Sequence, residues 1–142
     1  MENKSTLVLI VPCYNEEEIL ESSAKTLLNK VNCLILNNVI SEKSKILFIN
    51  DGSKDKTQLI LTKLCQENPT YACISLSRNF GHQCAILAGM KAACDFADAI
   101  ITIDSDLQQD INAIDKFMEK FYQGNDIVYG VRNDRNSDSF LK

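Results

Sequence analysis

Alternation is the feature that most constrains this chain: short apolar runs of strand length repeatedly give way to longer stretches whose apolar residues recur every three or four positions. The first run, TLVLIV at 6–11, is rich in β-branched residues and is stopped by Pro12, as expected of a central parallel strand covered on both faces. Asn15 with Glu18 three residues on has the spacing of a helix start, and Glu16, Glu17 and Glu18 put negative charge where a helix dipole is positive. Leu20, Ala24, Leu27, Leu28 and Val31 then mark one buried helical stripe.

The same unit recurs. KILFIN at 45–50 reads as a second strand, breaking at Asp51-Gly52-Ser53. Asn-Asp-Gly between apolar runs would suggest a hairpin, but the residues after it have a helical pattern: Asp55 and Gln58 at capping spacing, then Ile60, Leu61, Leu64 and Cys65 on one face. A third strand is expected at 71–76, and a helix at 81–96 rich enough in Ala and Gly to lie close to a sheet. Residues 99–103 give a fourth strand. Ile111, Ile114, Phe117, Met118 and Phe121 mark a fourth helix ended by Gly124-Asn125, and 126–131 a fifth strand. Such alternation predicts an α/β fold with a mostly parallel central sheet, right-handed crossovers and helices on both faces. At 142 residues the chain is expected to form one domain.

A parallel sheet binds its ligands outside the carboxyl ends of its strands, so the segments there carry the chemistry. The richest is AIITIDSDLQ at 99–108. If the chain stays extended, Asp104 and Asp106 face one point, and Gln108 adds a neutral oxygen from the next turn. That oxygen set suits a hard divalent ion, Mg²⁺ or Mn²⁺. The alternative is purely structural: Ser105 and Gln108 as a capping box, or Asp106 or Asp110 capping the next helix.

The other strand ends offer Pro12-Cys13-Tyr14-Asn15-Glu16, Asn50-Asp51-Gly52-Ser53, Ser77-Arg78-Asn79-Phe80-Gly81 and Gly130-Val131-Arg132. Together they suit a nucleoside diphosphate: Tyr14 offers a ring face to a base, Asp51 an acceptor for a base N–H, and Arg132 with the ion a partner for the pyrophosphate. Each has a plainer reading, Tyr14 as packing, Asp51 as a turn residue, Glu16 as a first-turn acid, and Arg78 and Arg132 as solvated charges. His82, the only histidine, reads as a capping or packing residue. Glycine-rich dinucleotide or P-loop signals and a Gly-x-Ser-x-Gly elbow are absent.

Bulk properties narrow the classes. A net charge of −4 and a pI near 5.0 exclude a dedicated nucleic-acid binder. The six cysteines are scattered without a Cys-x-x-Cys pair and read as buried thiols of a reducing compartment. No apolar run approaches the roughly 18 residues of a spanning helix, and MENKST has no signal-peptide character, so this stretch is expected to be soluble and cytosolic. A receiver-type signalling module would need acids after the first strand, where this chain has Pro12-Cys13-Tyr14.

Four blocks, IVPCYNEEE, FINDGSKDKT, LSRNFGHQCAILAGMKAA and TIDSDLQQD, occur in this order. Together they resemble the family 2 glycosyltransferases with a Rossmann-like GT-A fold. The resemblance covers about residues 6–135. It is closest to the branch that loads a sugar onto a polyprenyl phosphate, typified by dolichyl-phosphate mannose synthases and bactoprenol glucosyltransferases. It implies that Pro12, Tyr14, Glu16 and Asp51 line a nucleotide pocket and that Asp104, Asp106 and Gln108 surround a metal, Asp104 and Asp106 being the catalytic acids. Arg132, in Gly-Val-Arg, would approach the donor phosphates. It further implies an inverting, metal-dependent transfer from a nucleotide sugar, with uridine the expected base, to a lipid phosphate at the cytoplasmic face of a membrane, as in cell-envelope assembly. A polysaccharide or other acceptor, or a non-catalytic nucleotide-binding domain, are the alternatives. Family members continue beyond the segment matched here, so residues 1–142 are expected to be an N-terminal piece. Such a piece would bind nucleotide sugar weakly, with little transfer, and an uncovered sheet edge would leave self-association open.

Overall fold

The apolar runs pair into one all-parallel sheet in the order β3-β2-β1-β4, built from β1 (Leu7–Cys13), β2 (Lys45–Asn50), β3 (Tyr71–Ser75) and β4 (Ala99–Thr102). The computed structural model describes residues 3–131. The chain clusters into two units, Met1–Ile111 and Asn112–Lys142. Helices α1 (Leu20–Leu36), α2 (Thr57–Glu67) and α3 (His82–Ala93) fill the connections within the first.

Both faces of the sheet are covered. Val8, Ile10, Leu47 and Ile49 form one cluster with Ala85 and Ala93 of α3. Close approach there requires Gly89, because a Cβ at that position would stand 2.7 Å from Ile10 Cγ2. On the opposite face α1 buries Leu20, Ala24, Leu27, Val31 and Leu34. The Tyr71 hydroxyl reaches across from β3 to donate to the Ala24 carbonyl at 2.8 Å. β1 is buried along its whole length, as its unbroken apolar run requires.

Several boundaries differ from the sequence expectation. β1 does not stop at Pro12 but runs on to Cys13, pairing Pro12 with Ile49 and Cys13 with Asn50. The Cys13 carbonyl accepts from Asp51 N–H on the β2 side, so Pro12 turns its missing donor toward β4, whose ladder with β1 has ended at the Ile10–Thr102 pair. The first helix begins at Leu20 rather than near Asn15. Asn15 has φ 52°, outside the extended region of a capping residue, and its side chain is engaged by the next loop instead.

In the second unit α4 (Ala113–Tyr122) buries Ile114 and Met118 and ends where expected, at Gly124, whose φ is 91°. The fifth strand is not formed: residues 127–131 join no ladder, and Ile127, Tyr129 and Val131 are 71%, 82% and 80% exposed. An alternating apolar pattern supplies a face but no partner, and a strand exists only by pairing.

Candidate active site at the strand ends

Strand order reverses direction between β1 and β4, and a crevice of about 380 Å³ opens at their carboxyl ends. Pro12, Tyr14, Glu16, Asp51, Asp104 and Asp106 all line it. Gln108 is not part of that wall, and Arg132 lies outside the described residues. Asn79, Gly81, His82 and Ser105 also line it, although the sequence pattern assigns none of them to the site.

Three of the four strand exits are stitched together. Asn15 N–H donates to Ser53 Oγ at 2.9 Å, while Lys54 N–H returns to Asn15 Oδ1 at 2.8 Å. Glu16 N–H donates to Thr57 Oγ1, and Lys56 N–H to Glu17 Oε2, both at 2.9 Å. Asp55 accepts from Glu17 N–H and Thr57 N–H. Of the acids expected to serve as helix-dipole partners, Glu17 through its carboxylate and Glu16 through its N–H thus bind one strand exit to the next.

Asp51, 3% exposed, does the same for the third exit: Oδ1 accepts from Phe80 N–H at 2.8 Å and Oδ2 from Gly81 N–H at 3.0 Å. Beside it Gly52, with φ 68°, lies so close to the 78–79 backbone that a Cβ would stand 2.3 Å from Arg78 C. More than turn chemistry therefore selects Asp51-Gly52: the acid and the missing side chain seat the Arg78–Gly81 loop, on which the Arg78 guanidinium stacks over Phe80 at 4.1 Å.

On the β4 side, Asp104 and Asp106 sit on a turn rather than an extended segment. Leu107 N–H donates to Asp104 O at 3.1 Å, and Leu107 has φ 52°. The turn keeps both carboxylates on the crevice wall although the pleat does not continue. Gln109, rather than Gln108, engages Asp104: its amide oxygen accepts from Asp104 N–H at 3.1 Å and its amide nitrogen donates to Oδ2 at 3.3 Å. Gln108 uses its backbone N–H to bond Asp106 Oδ1 at 3.1 Å. His82 is not a cap; its Nε2 stands 3.4 Å from Asp104 Oδ1. Ser105, 4% exposed, donates to Glu16 Oε1 at 3.0 Å instead of closing a capping box. The strand-end rule alone could have flagged His82, since it opens the helix after a strand exit. Nothing local in the sequence marks the Ser105–Glu16 pair, which are 89 residues apart.

No group of three or more His, Cys, Asp or Glu residues among those described is placed to hold a metal ion by itself. A Mg²⁺- or Mn²⁺-type site does not need one, because such ions are held by one or two carboxylates and take their remaining oxygens from water and substrate phosphates. Two carboxylates open to a crevice fit that pattern.

The cysteines are free, but only Cys13 is buried; Cys65 and Cys73 are half-buried and Cys33, Cys84 and Cys94 exposed, which corrects the expectation of buried thiols. Burial pushes the Cys13 thiol well above its ordinary range, with Glu16 and Cys73 adding to the effect, so it is not a nucleophile for the crevice.

An all-parallel sheet flanked by helices, with acids at its switch point, defines an α/β class that takes its ligands at the strand ends. Residues 8–142 match the family model described as glycosyl transferase family 2, and the chain belongs to that family. It is 43% identical over 141 residues to the glycosyltransferase YkoT of Bacillus subtilis (strain 168), covering 99% of this chain and 42% of that protein. A prophage bactoprenol glucosyl transferase homolog of Escherichia coli (strain K12) is 40% identical over 134 residues, covering 94% and 41%. The chain therefore spans about two fifths of the length of these relatives. Among solved structures, the mannosyltransferase PcManGT of Pyrobaculum calidifontis, in complex with GDP-Man and Mn²⁺, superposes with a TM-score of 0.61. That match is at 16% identity and covers 72% of this chain and 28% of the other. The shared architecture is the GT-A fold. No helix among the described residues is long and apolar enough to cross a membrane.

Proposed function

We propose that residues 1–142 form a nucleotide-sugar-binding domain of an inverting glycosyltransferase that moves a sugar from a nucleoside diphosphate, UDP by preference, to a polyprenyl phosphate carrier. One observation carries the reading: Asp104 and Asp106 line one crevice with Tyr14 and Asp51 at the switch point of the sheet. The bactoprenol glucosyl transferase relatives support a lipid-phosphate acceptor, and hence work at the cytoplasmic face of a membrane.

In this reading Tyr14, 41% exposed, presents its ring to the base beside Pro12. Asp51 keeps lone pairs for a base N–H beyond the two backbone bonds it already accepts. Asp104 and Asp106 would hold Mg²⁺ or Mn²⁺, with Gln108 on the same turn, and Arg132, which lies outside the described residues, is the proposed partner of the donor phosphates. When bound, the ion supplies positive charge against the departing diphosphate. An acceptor phosphate is already ionised near neutral pH, so its oxygen attacks C1 without a strong base, the bond to the diphosphate breaks, and no sugar–enzyme intermediate is needed. His82 then has no proton to remove; beside Asp104 it orients a carboxylate.

Calorimetric titration of the chain with UDP and with GDP, with and without Mn²⁺, tests this. Metal-dependent nucleotide binding that disappears in Asp106→Ala is the expected result. Binding that ignores Mn²⁺, or persists unchanged in Asp106→Ala, would overturn it.

A further inference from the structure

Beyond the last ladder pair of β1 and β4, the walls of the crevice diverge. Among the described residues, the Ile103 N–H bond to Ile10 O, at 2.9 Å, is the final backbone link between them. Yet the turn beyond that link must hold two like charges close together and at a set distance from the opposite wall. Its buried member is Ser105, 4% exposed between the two acids, and the hydroxyl reaches across to Glu16 Oε1 at 3.0 Å. Glu16 is itself anchored, its N–H bonded to the fully buried Thr57 at 2.9 Å.

We infer that Ser105 is a positioning residue: by donating to Glu16 across the switch point, it fixes the turn carrying Asp104 and Asp106 against the stitched wall of the crevice. A hydroxyl that donates to a carboxylate makes a charge-assisted bond, and burial leaves water little room to replace it. The bridge gives the turn a fixed reference on the nucleotide wall, which the loop after it cannot supply. Pre-set placement matters because two carboxylates free to repel would splay, and ordering them would be charged against binding. The metal-holding part of this inference rests on the function proposed above; the bridge itself does not.

Two measurements separate these parts. Hydrogen exchange on the unliganded chain should speed up at residues 104–109 in Glu16→Ala, and at residues 14–17 in Ser105→Ala, each change appearing on the far side of the crevice. If one variant does not fold, the other reads the bridge from its own side. In calorimetry with Mn²⁺ and UDP or GDP, Ser105→Ala should lose about tenfold in affinity, the scale of one charged hydrogen bond. It should lose nothing further in a Glu16→Ala background. Unchanged exchange across the crevice, additive losses, or faster exchange with unaltered affinity would each overturn the inference. If the wild-type chain binds neither nucleotide with Mn²⁺, the proposed function falls while exchange alone decides the bridge.

Discussion

The two flanks of β1 are built on opposite principles. Toward β2 the ladder runs to Cys13 and Asn50, and the exits beyond it are joined by bonds among Asn15, Glu16, Glu17 and residues 53–57. Toward β4 the ladder stops at Ile10 and Thr102, and the exits separate into a crevice crossed by Ser105–Glu16 and His82–Asp104. The first flank satisfies its own polar groups; the second leaves Asp106 exposed and Asp104 half-exposed. The same sheet thus has a side that holds loops still and a side that keeps carboxylates for something else. Stability and ligand chemistry should accordingly separate along β1.

Mutations can break or sharpen that division. The largest loss of stability is expected at Gly52→Ala on the stitched side, where positive φ and a 2.3 Å approach to Arg78 C act together. Urea unfolding should show a cost of about 3 kcal/mol, combining backbone strain with overpacking. Thr57→Val keeps the shape but leaves the Glu16 N–H without its acceptor, costing about 1–2 kcal/mol in the same assay.

Asp55 gives a smaller, pH-dependent effect. Burial opposes its ionisation, but hydrogen bonds from the Thr57 hydroxyl and from the Thr57 and Glu17 N–H groups outweigh this and hold its carboxyl below the usual range. A folded-state pKa depressed in this way stabilises above the unfolded value of about 4 and is lost as pH falls through the lower folded value. The urea midpoints of wild type and Asp55→Asn should therefore differ at pH 6 and converge in acid, by a modest amount because the group is solvated.

Smallest of all, Asp106→Ala on the crevice side should shift stability by no more than about 0.5 kcal/mol while removing metal-dependent nucleotide binding. A large loss of stability there, or none at Gly52, would erase the distinction between the flanks.

How far each flank could be read from sequence differs for the same reason. Unbroken apolar runs at 7–11 and 46–49 announce buried parallel strands, and Gly89 among alanines announces a helix lying close to them. Tyr14, Asp51, Asp104 and Asp106 reach one crevice because strand ends converge, and strand ends are legible. The partners of those acids are not. Asn15 and Glu18 have capping spacing, but capping was overridden by the loop after β2, and Ser105 and Gln108 had the same spacing and were overridden by Glu16 and Gln109. The fifth strand failed similarly, with pattern present and partner absent.

The sequence by itself determined the layered α/β plan, the parallel sheet and the acids at its rim, because hydrophobic period and turn residues are local properties. Only the tertiary structure decided which backbone N–H each carboxylate accepts, that Asp51-Gly52 seats the loop from Arg78 to Gly81, and that Ser105 ties Glu16 to the acidic turn. A short polar side chain can satisfy its hydrogen bonds within its own turn or across the fold at similar cost, and the winner depends on which distant backbone the packed sheet brings within hydrogen-bonding reach.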